Sequence, residues 1–218
     1  MTVGKAGDLP KWIAAKLSFV FGIDLARDNI ENRLNGAYAR YLNYRRERKN
    51  MPRALFINGN SGLNIKSGEA SVTEKGREIT RAIFGDGPKD EERLGKGVFR
   101  QYGVGSEGFD VVSNQFSLHY FFEDINTLNN FLRNVSECCK TGGYFIGCCY
   151  DGKKVFRMLE EKAMGEGTTI TSINGKKIWE IKKNYNTKTF NNDFTSVGYK
   201  IGVYQESINK YIPEYLVN

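Results

Sequence analysis

The hydrophobic pattern of the chain switches between strand-like and helix-like periods. A glycine-bearing loop from Gly4 to Asp8 opens a helix over residues 9–16, with Pro10 tolerated in its first turn. The run SFVFGID at 18–24 is short, apolar and ends in an acid, as a buried parallel strand does. Asp28 with Glu31 reads as a capping box, and Ile30, Leu34, Ala37, Tyr38 and Tyr41 mark one face of a single helix reaching about Arg48. Residues 54–58 predict the next strand. Residues 109–116 predict another, followed by the polar-aromatic stretch SLHYFF at 117–122. Asp124 caps a helix with inward positions Leu128, Phe131, Leu132 and Val135, ended by Gly142-Gly143. Residues 144–149 then read as a buried strand and 153–164 as a helix. Residues 168–173 and 176–181 form a hairpin around Asn174-Gly175. A last strand is expected over 194–204, and 211–217 begins a further element.

Strands alternating with helices, then terminal antiparallel strands, predict an open, mostly parallel α/β sheet. Such sheets bind ligands beyond the carboxyl ends of their strands. Three segments converge there: the Gly4–Asp8 loop, Asp24, and the stretch from Gln115 to Tyr120. Residues 60–108 are glycine-rich and charged, with one helical piece near 73–84. They read as a surface insertion on a single domain spanning 1–218.

Composition narrows the class. At 218 residues, 40% hydrophobic and 13% aromatic, the chain has enough apolar side chain for a core, which excludes collagen-like and wholly disordered readings. No run approaches the ~20 apolar residues of a membrane span. The N-terminus lacks a signal pattern, so a soluble, non-secreted chain is expected. The four cysteines form two adjacent pairs, Cys138–Cys139 and Cys148–Cys149, whose spacing suits reduced thiols better than a metal site. Lys and Arg number 32 against 25 Asp and Glu, a net charge of +7 that suggests a polyanionic partner. Arg40, Arg45, Arg46, Arg48, Lys49 and Arg53 lie within fourteen residues with only Glu47 opposing. Tyr38, Tyr41 and Tyr44 interleave with them, at a spacing that fits half-buried helix positions better than base stacking.

Two features carry chemistry. Gly4 and Asp24 are twenty residues apart, the distance at which nucleotide-binding α/β folds place an acid on ribose hydroxyls. His119 is the only histidine and stands beside Tyr120, just past a strand's carboxyl end, where ligands bind.

The segments GKAGDLPKW (4–12), GID (22–24), FDVVSNQFSLHYFFE (109–123), TGGYFIG (141–147) and IPEYLV (212–217) together resemble the mRNA cap guanine-N7 methyltransferases, most of all the methyltransferase domains of large DNA virus capping enzymes. The resemblance runs over nearly the whole chain, in order. It implies a class I S-adenosylmethionine (AdoMet) fold, with AdoMet as co-substrate and no metal, and methyl transfer to N7 of the cap guanine. By position, Gly4, Asp24, Asn60, Gln115 and Tyr120 would line the AdoMet site, with Asp24 on the ribose and Asn60 where the family has an adenine-facing acid. Lys5 and Lys11 would lie beside the cap phosphates, and His119 and Glu214 on the cap guanine. The implied partners are the capped RNA 5′ end and a guanylyltransferase domain or activating subunit, in cytoplasm, viral factory or nucleus.

The departures are specific. In the family the glycine loop continues upstream into a strand with an acid, D-x-G-C-G-K-G-G-D. Here the chain starts Met1-Thr2-Val3, with Thr2 at the first glycine and Ala6 at a later one. The expectation is a fragment whose first, central strand is missing, with unpaired sheet edges. These substitutions also favour the alternative of a non-catalytic RNA- or partner-binding domain with a degenerate AdoMet site.

Overall fold

A computed structural model describes residues 1–218. Its elements are α1 (Leu9–Ala14), β1 (Phe19–Asp24), α2 (Arg27–Glu31), α3 (Ala37–Glu47), β2 (Arg53–Asn58), α4 (Glu74–Ile83), α5 (Glu91–Leu94), α6 (Lys96–Phe99), β3 (Phe109–Gln115), a 3₁₀ turn (Leu118–Phe122), α7 (Ile125–Cys138), β4 (Cys139–Cys148), α8 (Gly152–Met158), β5 (Gly167–Thr171), β6 (Lys177–Lys183), a second 3₁₀ turn (Phe194–Ser196), β7 (Lys200–Gln205) and β8 (Lys210–Tyr215). The fold is α/β, with a parallel β1–β2 pair and antiparallel terminal strands, as expected of the class I AdoMet architecture. No helix is long and apolar enough to cross a membrane.

The chain divides into two compact units, Met1–Gln115 with Asn130–Ile146, and Phe116–Asn129 with Gly147–Asn218. In the first, β1 pairs in parallel with β2, in register from Phe19↔Arg53 to Asp24↔Asn58. One core cluster gathers Ala6, Leu9, Ile30, Ala37 and Tyr41 around Phe56. A second joins Ile23 and Ile57 to Val112 and Cys138. β1 has no other strand partner, and β3 pairs only with β4. Between them lies a cavity of about 540 Å³ lined by Phe19 and Phe21 on one side and Phe109 and Val111 on the other. Residues 1–3 bridge its end: Val3 N donates to the Ile23 carbonyl at 2.8 Å and the Met1 ammonium to the Ser113 carbonyl at 2.8 Å.

The second unit is a four-stranded antiparallel sheet, β5-β6-β7-β8, whose inner face packs Ile181, Ile201 and Val203 on Val155, Phe156 and Leu159. The Asn174-Gly175 hairpin forms as expected, with Gly175 at φ 76°.

Several expectations need correction. The single helix from Asp28 to Arg48 is broken between α2 and α3. The Asn32 side-chain oxygen accepts from the N–H groups of Leu34 and Asn35, a local turn that competes with helix continuation. Asp28 consequently bonds Asn32 instead of capping, and Leu34 is 87% exposed. The helix after Asp124 ends at Cys138, and Gly142-Gly143 lie inside β4. A Cβ on Gly143 would come within 2.9 Å of the Asp110 carbonyl, so this glycine serves close approach to β3. β4 is not buried: Tyr144, Phe145 and Ile146 are all exposed, because β4 pairs on one side only. The helix expected to Met164 stops at Met158, and 194–204 divides into a 3₁₀ turn and β7. Residues 60–108 carry more core than their polarity suggests. Ile65, Ala70 and Phe84 are buried beside Ile23, and Ala82, Leu94 and Val98 form a small cluster of their own.

Candidate functional site

In the first unit, the carboxyl end of β1 and the loop before α1 meet on Asp24. Its Oδ2 accepts from Gly4 N at 2.8 Å, and its Oδ1 from Ala26 N at 3.0 Å and Asn29 Nδ2 at 2.9 Å. The carboxylate is buried. A carboxylate offers about four acceptor sites, so these three bonds leave room for one further donor. Asn58 fixes the same turn, donating from Nδ2 to the carbonyls of Asp24 and Leu25. The loop is left-handed at Thr2, Gly4 and Ala6, with φ of 52°, 55° and 55°. A left-handed L-residue costs roughly 1–2 kcal/mol. Thr2 and Ala6 thus hold the backbone of a glycine loop without being glycine.

Lys5 lies 3.2 Å from Asp28 and donates to Asn35 at 2.8 Å. Lys11 pairs with Asp8 at 2.5 Å. Exposed pairs of this kind contribute about 0–1 kcal/mol, so either ammonium can exchange its carboxylate for a phosphate at small cost. The Asn60 side-chain oxygen closes a turn, accepting from Gly62 N–H at 2.9 Å. Asn134, unnoticed in the sequence, braces the following loop: it accepts from Ile65 N and donates to the Ser61 and Leu63 carbonyls. Gln115 donates to Ser113 Oγ at 3.0 Å and lines the β1–β3 cavity. That cavity contains neither Asp24 nor Asn60; its lining is mostly apolar, with Thr2, Asp8, Lys11, Ser113 and Gln115 as its polar side chains.

The tyrosines of α3 are packed. Tyr41 donates to the Pro52 carbonyl at 2.9 Å, and Tyr38 and Tyr41 stand edge-on to Phe56. The half-buried helix reading of these residues holds.

In the second unit, the 3₁₀ turn and β8 bring together His119 and Glu214, 95 residues apart in the sequence. His119 Nε2 is 3.6 Å from Glu214 Oε2, outside hydrogen-bond range, and both side chains are buried. Neither nitrogen of His119 has a hydrogen-bond partner. Burial lowers the His119 pKa to about 4 and raises that of Glu214 to about 7. Around neutrality the pair is therefore a neutral imidazole beside a carboxyl poised at its titration point. Tyr120 stands edge-on to the His119 ring at 4.3 Å, and Tyr150 is stacked with it at 5.3 Å. Buried polar groups are nearly always satisfied, and leaving one unsatisfied costs about 1–3 kcal/mol. The unsatisfied imidazole and the neighbouring carboxyl are thus two polar groups held close together without a hydrogen bond between them.

The structure thus unites Gly4 with Asp24, and His119 with Glu214 and Tyr120. It places Lys5 and Lys11 on the Gly4–Asp8 loop and the first turn of α1. The whole chain, residues 1–218, matches the family described as mRNA (guanine-N(7))-methyltransferase domain. It is 28% identical to a probable mRNA-capping enzyme of Acanthamoeba polyphaga mimivirus, over 98% of this chain and 17% of that protein. It is 34% identical to an mRNA cap guanine-N(7) methyltransferase of Aspergillus niger, over 52% of this chain and 17% of the relative. The chain therefore spans about a sixth of either relative's length. Among solved structures, a S-adenosylmethionine-dependent methyltransferase from Clostridium acetobutylicum aligns over 100% of this chain and 65% of its own, with a TM-score of 0.45 and 13% identity.

Proposed function

The chain belongs to the mRNA (guanine-N(7))-methyltransferase family, and from that premise we propose that it transfers a methyl group from AdoMet to N7 of the mRNA cap guanine. The observation that carries the reading is the buried pairing of His119 with Glu214, in which neither imidazole nitrogen is satisfied. A guanine presents adjacent ring and exocyclic N–H donors on its Watson–Crick edge, which a carboxylate accepts. Adenine presents an unprotonated ring nitrogen at the same place and would leave the carboxylate unpaired.

The remaining roles follow from residue chemistry. Asp24 holds a ribose hydroxyl with its remaining acceptor capacity while its other lone pairs keep the Gly4 loop in place. Asn60 offers its amide nitrogen to the adenine, and Gln115 in the first unit and Tyr120 in the second are each assigned to AdoMet by resemblance to the family. Lys5 and Lys11 exchange their surface carboxylates for cap phosphates. The left-handed backbone at Thr2 and Ala6 keeps the shape of a glycine loop, which weighs against a degenerate AdoMet site.

When bound, AdoMet supplies the methyl group on a sulfonium electrophile. The nucleophile is a ring nitrogen lone pair that is already unprotonated near neutral pH, so no residue of the chain need act as general base. The task left to the protein is alignment, and holding two reactants in line supplies ~7–11 kcal/mol of a barrier. The mimivirus relative's description as a capping enzyme supports a guanylyltransferase domain or activating subunit as partner to the capped-RNA substrate. The test is methyl transfer from labelled AdoMet to RNAs with a guanosine cap, an adenosine cap or no cap. Label is expected in 7-methylguanosine from the guanosine-capped RNA alone. Equal labelling of the adenosine-capped RNA would overturn the reading.

A further inference from the structure

We propose that Tyr150 is the positioning residue of the base-recognition edge, setting His119 with its ring and Glu214 with its hydroxyl. The inference rests on the reading of that edge given above. Histidine rings are ordinarily oriented by a hydrogen bond to one nitrogen. His119 has none. Its plane is set by packing: the Tyr150 ring lies stacked with it at 5.3 Å and 16°, while Tyr120 meets it at 63°.

The Tyr150 hydroxyl reaches the other half of the pair. It donates to the main-chain carbonyl of Tyr215, the residue directly after Glu214 and the last of β8. Two residues beyond Tyr150, a Cβ on Gly152 would fall 2.1 Å from the Val217 carbonyl. Only glycine allows the chain to lie that close. Residues 150–152 therefore grip the segment after Glu214 at two points. Asp151 anchors the grip by accepting from Lys154 N at the start of α8. In addition, Leu216 N donates to the Tyr199 carbonyl at 2.9 Å. The end of β8 is clamped, and the Tyr150 side chain touches both the clamp and the imidazole. Tyr150 is half-buried and desolvation raises its pKa, so the hydroxyl remains a donor throughout the working pH range.

The role predicts coupling. Tyr150→Phe keeps the stacked ring and removes only the bond to Tyr215. Losing one such bond should raise KM for guanosine-capped RNA roughly three- to tenfold, with kcat and KM for AdoMet changed less than twofold. The decisive measurement is a double-mutant cycle with Glu214→Gln, reading KM for capped RNA, with Tm recorded for every variant. If Tyr150 acts by placing the carboxylate, Tyr150→Phe has no further effect once Glu214 is Gln. Additive effects would assign Tyr150 to general stability and overturn the proposal. So would a Tyr150→Phe protein with unchanged KM at wild-type Tm. A Glu214→Gln protein with normal KM for capped RNA would instead remove the base-edge reading itself, and the Tyr150 role with it. Tyr150→Leu provides the second variant: it removes ring and hydroxyl together and should raise KM further than Tyr150→Phe. An equal effect of the two would show that the ring does not set His119.

Discussion

Asp24 and Glu214 are buried to the same degree, 8% and 7% exposed, yet their surroundings are opposite. Asp24 accepts three hydrogen bonds from its own unit and ties a turn, a strand end and the Gly4 loop together. Glu214 has a neutral imidazole at 3.6 Å and a pKa raised by burial to about 7. Burial alone therefore says little about a carboxylate's role. The donors already bound to Asp24 make it part of the scaffold that shapes a site, with a share of its acceptor capacity left for ligand. Glu214 has no such donors, and on the proposed reading it is the recognition group, stabilised when a ligand brings them. Removing the first should harm fold and ligand together, and removing the second should harm recognition and spare the fold.

The largest effect is expected at Glu214. Glu214→Ala should lower kcat/KM for guanosine-capped RNA by about a thousandfold or more, because a site built to hydrogen-bond its substrate loses the complement of two donors. Its Tm should not fall. Full methylation by this variant, or a collapse of Tm, would erase the contrast with Asp24.

Asp24→Ala is the counterpart. It should weaken AdoMet binding by on the order of 2–4 kcal/mol, through lost charge-assisted bonds and a loosened loop. It should also lower Tm, since Gly4 N, Ala26 N and Asn29 Nδ2 all lose their acceptor. Calorimetry and thermal melts on the same sample read both. Lost affinity at unchanged Tm would make Asp24 purely a ligand group.

The contrast extends to pH. The Glu214 carboxyl titrates at about 7 in the fold against 4.5 ordinarily, so the native state binds the proton more tightly and stability falls as pH rises between those values. His119, at about 4 against 6.5, acts with the opposite sign, adding stability as pH rises from about 4 to 6.5. The two slopes oppose each other in mildly acid solution, and above pH 7 the unpaired carboxylate remains. Glu214→Gln should therefore stabilise the ligand-free protein by about 1–3 kcal/mol at pH 8. At pH 5 the gain should be much smaller. Denaturant unfolding at the two pH values tests this, and equal shifts would show that the charge is not the cause.

The parts of these two sites were unequally legible in the sequence. The reach from Gly4 to Asp24 could be read because both belong to one strand–loop unit, where spacing translates into distance. β1, β2, α4 and the Asn-Gly hairpin were legible for the same reason: local period and turn chemistry decide them. His119 meeting Glu214 depends on how β7 and β8 fold back, and no periodicity reports that; the matched motifs QFSLHY and IPEYLV pointed to it. The break between α2 and α3 was missed because the apolar spacing continues through it while the Asn32 side chain stops the helix. Tyr150 was silent because its partners are a ring 31 residues upstream and a main-chain carbonyl 65 residues downstream, and a backbone acceptor leaves no mark in the sequence.

The lysines give a smaller effect than either carboxylate. Lys5 and Lys11 already hold exposed carboxylates, so changing both to Ala should leave Tm nearly unchanged, as surface pairs contribute about 0–1 kcal/mol. Capped-RNA binding should weaken, with the slope of its salt dependence reduced by about one for each lysine. AdoMet affinity should hold. An equal loss for both ligands would move the lysines from the phosphates to the AdoMet site.

The smallest expected change sharpens the scaffold side of the comparison. Thr2 is β-branched and left-handed, at φ 52°, next to the loop that Asp24 holds through Gly4. That conformation is unfavourable for any L-residue by roughly 1–2 kcal/mol and is worst where Cβ is branched. Thr2→Gly removes the clash. It also removes the Thr2 hydroxyl, which donates to the Met1 carbonyl at 2.6 Å and accepts a long bond from Asn114 at 3.3 Å, and adds chain entropy to the unfolded state. The relieved strain nearly offsets these losses, so Tm should change by no more than a few degrees. AdoMet affinity should rise slightly or stay the same, because the left-handed backbone is then held without strain. A larger loss of stability in Thr2→Gly would mean that the threonine side chain itself holds the loop, and the loop would then owe its shape to Thr2 as much as to Asp24.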